Sequence, residues 1–256
     1  MFSPLDQPIL LLVFSLAVFW FSAWLGASFH KKQAELKEST RGDLTLVLGG
    51  TLTLLGLIIG FTFSMAVSRY DQRKDYEEQE ANAIGTEYVR SDFLPAADAD
   101  KVRALLKEYV KLRILYYTAR SEKQLSEINA QTTRVQEEMW AAVVPPSLAQ
   151  PTQVEALVVS GMNDVLNSQG YTQASWWNRI PSAAWVLLVA ISVFCNILIG
   201  YVAHGRSHYL FVILPIALSV SLFLIADIDS PRGGAIRVHP QNLESLARSV
   251  NSQVRR

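Results

Sequence analysis

The stretch Leu44–Ser68, LTLVLGGTLTLLGLIIGFTFSMAVS, runs for 25 residues without a charge. At 1.5 Å per residue a helix of that length crosses the hydrocarbon core of a bilayer, roughly 30 Å thick. It passes without a proline into RYDQRKDYEEQEANAIGTEYVRSDFL, which is strongly charged. One long helix that begins in lipid and ends in water is the reading that fits both halves. A chain built on such a helix must supply other apolar helices on the lipid side and amphipathic ones on the water side.

The apolar helices are easily found. Ile9–Phe29, Ser182–Ala203 and Tyr209–Ala226 are three further windows without Asp, Glu, Lys or Arg. Runs of this length in lipid are helices, because only helices and closed barrels satisfy every backbone group there. The fold class expected is all-α: four transmembrane helices plus an antiparallel helical bundle inserted between spans two and three. The expected domains are residues 1–68 (spans one and two), 69–180 (a soluble four-helix domain), 181–228 (spans three and four) and 229–256 (a polar tail).

Within 69–180 the helical period predicts four amphipathic helices. The first continues from span two to about Leu94. The second covers Asp98–Tyr117, with Val102, Leu105, Tyr109, Leu112 and Tyr116 on one face. The third covers Ser121–Ala142 and ends before Pro145 and Pro146. The fourth opens near Pro151, carries Val154, Leu157, Val158, Gly161, Met162 and Val165, and stops at Gly170. Glu77, Glu78 and Glu80 are expected to form a solvated face with Arg73 and Lys74. Trp176 and Trp177, just before span three, read as an interfacial anchor.

The positive residues Lys31, Lys32, Lys37 and Arg41 between spans one and two favour a cytoplasmic loop there. That arrangement puts the protein in the inner (plasma) membrane with its soluble domain outside the cytoplasm. Arg69, Arg73 and Lys74 after span two argue for the other side. A formal net charge of zero suggests no nucleic-acid partner. The single cysteine, Cys195, precludes an intrachain disulfide.

Motifs of enzymes are absent: no P-loop, no G-x-G-x-x-G, no H-E-x-x-H and no G-x-S-x-G. A non-enzymatic protein without a cofactor is expected. His204 and His208 read as interfacial residues rather than a metal pair. Asp227 and Asp229, at the exit of span four, either bind a divalent cation or serve the local structure. Span two carries Gly49, Thr53, Gly56, Gly60 and Ser64 on one face. Such a stripe serves either tight packing inside one bundle or a subunit interface or pore wall. Phe61 and Phe63 are candidates for an apolar constriction in an oligomer. Asn196 in span three either hydrogen-bonds a neighbouring helix or lines a polar path. Spans free of charge argue against proton-coupled transport.

Two stretches carry a family resemblance. The first leads to Arg90, with GLIIGFTFSMAVSRYDQR and then EANAIGTEYVR; the second is Asp227–Val238, DIDSPRGGAIRV. Together they resemble the bacterial bestrophin-like integral membrane family, a four-span family. The resemblance implies kinship with bestrophins, which are pentameric anion channels whose second span lines the pore with an apolar neck. It implies that residues around Gly56–Ser64 line the pore, and that the soluble domain is cytoplasmic. Of the bestrophin acidic calcium clasp the sequence offers only Asp227 and Asp229. The leading expectation is thus an oligomeric bestrophin-like ion channel, a homo-oligomer in the lipid bilayer engaged in ion transport. The alternative is a membrane sensor or scaffold whose helical domain binds a ligand or protein partner.

Overall fold

A computed structural model describes residues 7–32, 38–149, 151–203 and 209–252. Lys37, His204, Arg206 and His208 lie outside them. The described residues form eight α-helices, one 3₁₀ turn and no strand. In chain order the helices are α1 (Pro8–Lys32), α2 (Glu38–Arg90), α3 (Ala96–Thr118), α4 (Glu122–Ala149), α5 (Gln153–Trp177), α6 (Ser182–Ala203), α7 (Leu210–Asp229) and α8 (Gln241–Ser252). The 3₁₀ turn, Ser91–Phe93, ends α2 ahead of Pro95.

Among the described residues four helices are long and apolar enough to cross a membrane, and the chain divides into two compact units. The membrane unit holds the chain up to Tyr70 together with Arg179–Arg237. Its core is built from Phe19 of α1, Leu55 of α2, Leu188 of α6, and Leu222 and Ile225 of α7. The tightest packing is between α1 and α6. A Cβ added at Gly26 would stand 2.1 Å from the carbonyl oxygen of Ile197, and one at Gly200 would stand 2.0 Å from that of Ala23. The two backbones touch, which only glycine permits, and in lipid such close packing is a main source of helix association.

The second unit holds Asp71–Asn178 and the chain from Val238. Val102, Leu106, Tyr109 and Val110 of α3, Met139 and Val143 of α4, and Val158, Met162 and Val165 of α5 are all buried in it. α5 starts with a capping box: Glu155 N–H donates to Thr152 Oγ1 at 3.2 Å, and Thr152 N–H donates to Glu155 Oε2 at 3.3 Å. α8 joins this unit and buries Leu243 and Val250.

Several elements differ from the sequence expectation. α4 runs through Pro145 and Pro146 to Ala149. The lost backbone bonds fall in its last turns, and Val143 and Pro146 are buried there. α5 runs through Gly170 to Trp177. A glycine inside a helix costs about 1 kcal/mol, and the burial of Thr172, Ser175 and Trp176 beyond it offsets that. Trp176 is no belt residue: it packs in the second unit with its ring 5.2 Å from that of Tyr116 and 5.3 Å from that of Tyr117. Trp177 is 73% exposed. Val154 and Leu157 are exposed rather than on the buried face of α5.

Candidate functional site

In its membrane half α2 has two faces. Leu48, Leu55, Thr62 and Ala66 are buried against the other spans. Successive residues turn by about 100°, which sets Gly49, Thr53, Gly56, Gly60 and Ser64 on a stripe away from that face, and all five are exposed. A Cβ built at Gly49, Gly56 or Gly60 meets nothing within 4 Å. α2 is the least covered span: 11% of its membrane stretch is buried, against 28%, 39% and 44% for the others. The hydroxyl of Thr53 donates back to Gly49 O at 3.0 Å, so its polar group is turned onto its own helix.

Phe61 and Phe63 are 63% and 41% exposed. Two residues apart on a helix, they point about 200° away from each other, so they flank the stripe on opposite edges. Asn196 is not on this face. It is buried within the membrane unit, and its Nδ2 donates to Ser192 O at 2.8 Å.

The DIDSPRGG segment is a closed loop organised by its two carboxylates. Asp227 accepts from Ala235 N–H at 2.7 Å on Oδ1 and from Ile236 N–H at 2.8 Å on Oδ2. Gly234 lies so near that a Cβ there would stand 2.2 Å from Asp227 O. Asp229 accepts from Ile180 N–H at 3.2 and 3.3 Å, and Arg69 Nη1 stands 3.9 Å away. The two carboxylates thus serve different partners: two backbone N–H groups take the two oxygens of Asp227, and the one N–H of Ile180 is shared between those of Asp229. No group of three His, Cys, Asp or Glu among the described residues has metal-site geometry.

The second half of α2, beyond Tyr70, holds what sequence reasoning missed. Arg73, Glu77, Glu80, Ile84, Glu87 and Ser91 recur in steps of four and three, and all are buried. Only Glu78 of the three expected surface glutamates is exposed. The signal was present in the spacing: Ala66 and Tyr70 set a heptad seam upstream, and the charged residues stay in register with it. Glu80 pairs with Arg113 of α3 in a buried ion pair and accepts from Thr172 Oγ1 at 3.1 Å. Burial works against the charge on Arg113, but Glu80 beside it outweighs this and holds the guanidinium above its ordinary range. Burial, with the Glu80 charge, pushes the phenols of Tyr109 and Tyr117 up.

Glu77 receives Leu243 N–H at 2.9 Å and Asn242 Nδ2 at 2.6 Å. A carboxylate at the start of α8 satisfies its free N–H groups and complements its dipole. Burial raises the Glu77 pKa against those hydrogen bonds.

Residues 13–243 match the family defined by the Bestrophin-like domain. The chain belongs to the bestrophin-like family. No curated protein matches the sequence. Among solved structures, one of a bacterial bestrophin homologue from Klebsiella pneumoniae is similar at a TM-score of 0.65 and 14% identity, covering 96% of this chain and 98% of that one. A second structure of that homologue gives 0.64 and 15%, over 95% and 97%. A structure described as a membrane protein gives 0.66 and 14%, over 95% and 99%. At these identities the likeness concerns the fold. The protein is a membrane protein with the bestrophin fold, and the EANAIGTEYVR and DIDSPRGG stretches hold the buried carboxylates Glu80, Glu87, Asp227 and Asp229.

Proposed function

We propose that this bestrophin-like protein is an ion channel formed by a ring of identical subunits, with α2 lining the pore and no enzymatic role. The observation that carries the reading is the uncovered stripe Gly49, Thr53, Gly56, Gly60 and Ser64 on a span without charge. Small residues on a span make sense where other helices approach closely or where a lumen needs width. Phe61 and Phe63 flank that wall, and one of them narrows it. Asn196 supports the bundle from inside.

Flux of monovalent ions into liposomes holding the purified protein tests the reading. Flux that Gly60→Leu reduces several-fold supports it; none across a wide range of salts and pH overturns it. The alternative, a sensor or scaffold, draws on the open groove between Ala81–Phe93, the end of α2 with its 3₁₀ turn, and Asn242–Ser249 of α8, lined by Gly85, Val89 and Leu246. A stoichiometric protein partner retained through purification, without flux, favours that reading.

The positive stretch His30–Asp43, which takes in the end of α1 and the start of α2, supports an inner-membrane orientation with residues 71–178 outside the cytoplasm. Kinship with bestrophins supports the opposite side. Gln131 is exposed on α4 and Cys195 is buried, so Gln131→Cys is a clean reporter for an impermeant thiol reagent. Labelling in intact cells supports the charge bias. Labelling only after the membrane is broken supports the kinship.

A further inference from the structure

Glu87 is the member of the buried α2 seam whose carboxyl takes no hydrogen bond among the described residues. Both carboxyl oxygens are buried and neither takes a hydrogen bond among the described residues. Its neighbour Glu80 has Arg113 and Thr172, and Glu77 has the start of α8. The carboxyl of Glu87 lies against α5 at Gly161. A Cβ built on Gly161 would stand 2.0 Å from Glu87 Oε2 and 2.5 Å from Arg90 Nη1. The missing side chain is therefore what makes room for the acid.

Two charged groups face it. Arg90, one turn further along α2, donates instead to Leu157 O at 3.5 Å, and Asp164 comes from α5. A buried carboxylate without hydrogen bonds is far costlier than the neutral acid. We propose that Glu87 is a proton-binding site: the closed α2–α5 contact carries it as the neutral acid, and loss of the proton drives the two helices apart. Burial first, with Asp164 adding and Arg90 opposing, pushes its pKa up to about 8. The proton therefore leaves within the range that a cell compartment can reach. Because Glu87 and the glycine stripe belong to the one helix Glu38–Arg90, movement at Glu87 acts on the helix that also crosses the membrane. The proposal stands or falls independently of ion conduction.

The test uses the full chain in detergent micelles. Infrared difference spectra follow the carbonyl stretch of a neutral carboxylic acid while the pH is raised from about 6 to about 10. A band present at the acid end of the wild type, lost on titration and missing from Glu87→Gln, is expected. Its absence from the wild type at the acid end means that Glu87 is already ionised, with Arg90 turned onto it, and overturns the proposal. Arg90→Gln removes the opposing cation and leaves Glu87 in place, so the band should persist to higher pH; an unmoved or lowered midpoint overturns the assignment even where Glu87→Gln fails to fold. Spin labels at the exposed positions Asn82 and Asn163, with Cys195→Ala, read the α2–α5 distance. Lengthening over the same pH range, absent from Glu87→Gln, is expected. A titrating band with an unchanged distance overturns the separation of the helices.

Discussion

At the scale of single residues, the second unit is organised by charges that have been taken out of water. The Glu80–Arg113 pair illustrates the energetics. Each ion loses its hydration, and the pair is tolerable because Thr172 Oγ1 fills a further lone pair and the guanidinium carbon sits 4.4 Å from the centroid of the Tyr116 ring. Removing one partner leaves the other buried and unpaired. Arg113→Met should therefore cost about 3–5 kcal/mol, read by chemical unfolding in detergent. Adding Glu80→Gln to it should recover part of that loss, since the two changes share one interaction. Glu87 gives the pH dependence. Its folded pKa is raised from 4.5 to about 8, so the folded state holds a proton that the unfolded chain has released. Stability from this site is fully present below about pH 4.5, declines as the pH rises, and is gone above about pH 8. The midpoint of thermal unfolding in the wild type should fall across that window. The same scan on Glu87→Gln should be flatter, and the difference between the two isolates this residue from Glu77, whose shift has the same sign.

At the scale of elements, glycines do opposite work on different helices. Gly26 and Gly200 are where the backbones of α1 and α6 touch, with carbonyl oxygens about to be struck by any added methyl. Gly26→Ala or Gly200→Ala should lower the thermal midpoint of the protein sharply, because two backbones have to move apart. Gly56→Ala meets open space within the subunit. It should leave the fold of one subunit intact, and Ala is the better helix former by about 1 kcal/mol. Circular dichroism with a thermal ramp separates the two classes. The α8 contact is a third case: Glu77→Ala strips two hydrogen bonds from its first turn. Faster amide exchange confined to 241–252 is the expected result. Much of the element plan was legible in sequence. The four charge-free windows require spans, and Val102, Leu105, Tyr109, Leu112 and Tyr116 form the buried face of α3 as their spacing predicts. Gly26 and Gly200 were not legible, because each is a lone glycine whose contact lies on another helix. Glu77 and Glu80 were misread because residue type outweighed their register with Ala66 and Tyr70. Trp176 was misread because two adjacent tryptophans beside a span look like a belt, whereas tyrosines distant in sequence claim one of them. The stripe on α2 was legible as a face, but spacing alone does not tell a face that packs inside a bundle from one that points away.

At the scale of the whole molecule, that stripe is the part of α2 that none of the described residues covers. Lipid is best met by large apolar side chains, and the neighbours Leu46, Leu54 and Leu57 are exposed residues of that kind. Gly49, Gly56 and Gly60 offer lipid little contact and leave helix backbone bare. A surface of small residues is better used against other helices or a lumen than against acyl chains. Copies arranged about an axis supply that setting: the same face recurs once per subunit, and the charge-free spans need no partner for a buried ion. A closed ring is therefore the expected assembly in mild detergent, read by native mass measurement, and five copies is the number that kinship with bestrophins implies. Gly60→Leu, which adds bulk on the stripe where a subunit alone has space, should keep each subunit folded while shifting the ring toward smaller species or reducing flux. A wild-type monomer or dimer would leave no axis for α2 to line. In that case the open groove between α2 and α8 would become the surface to follow, and a partner protein would take the place of the ion.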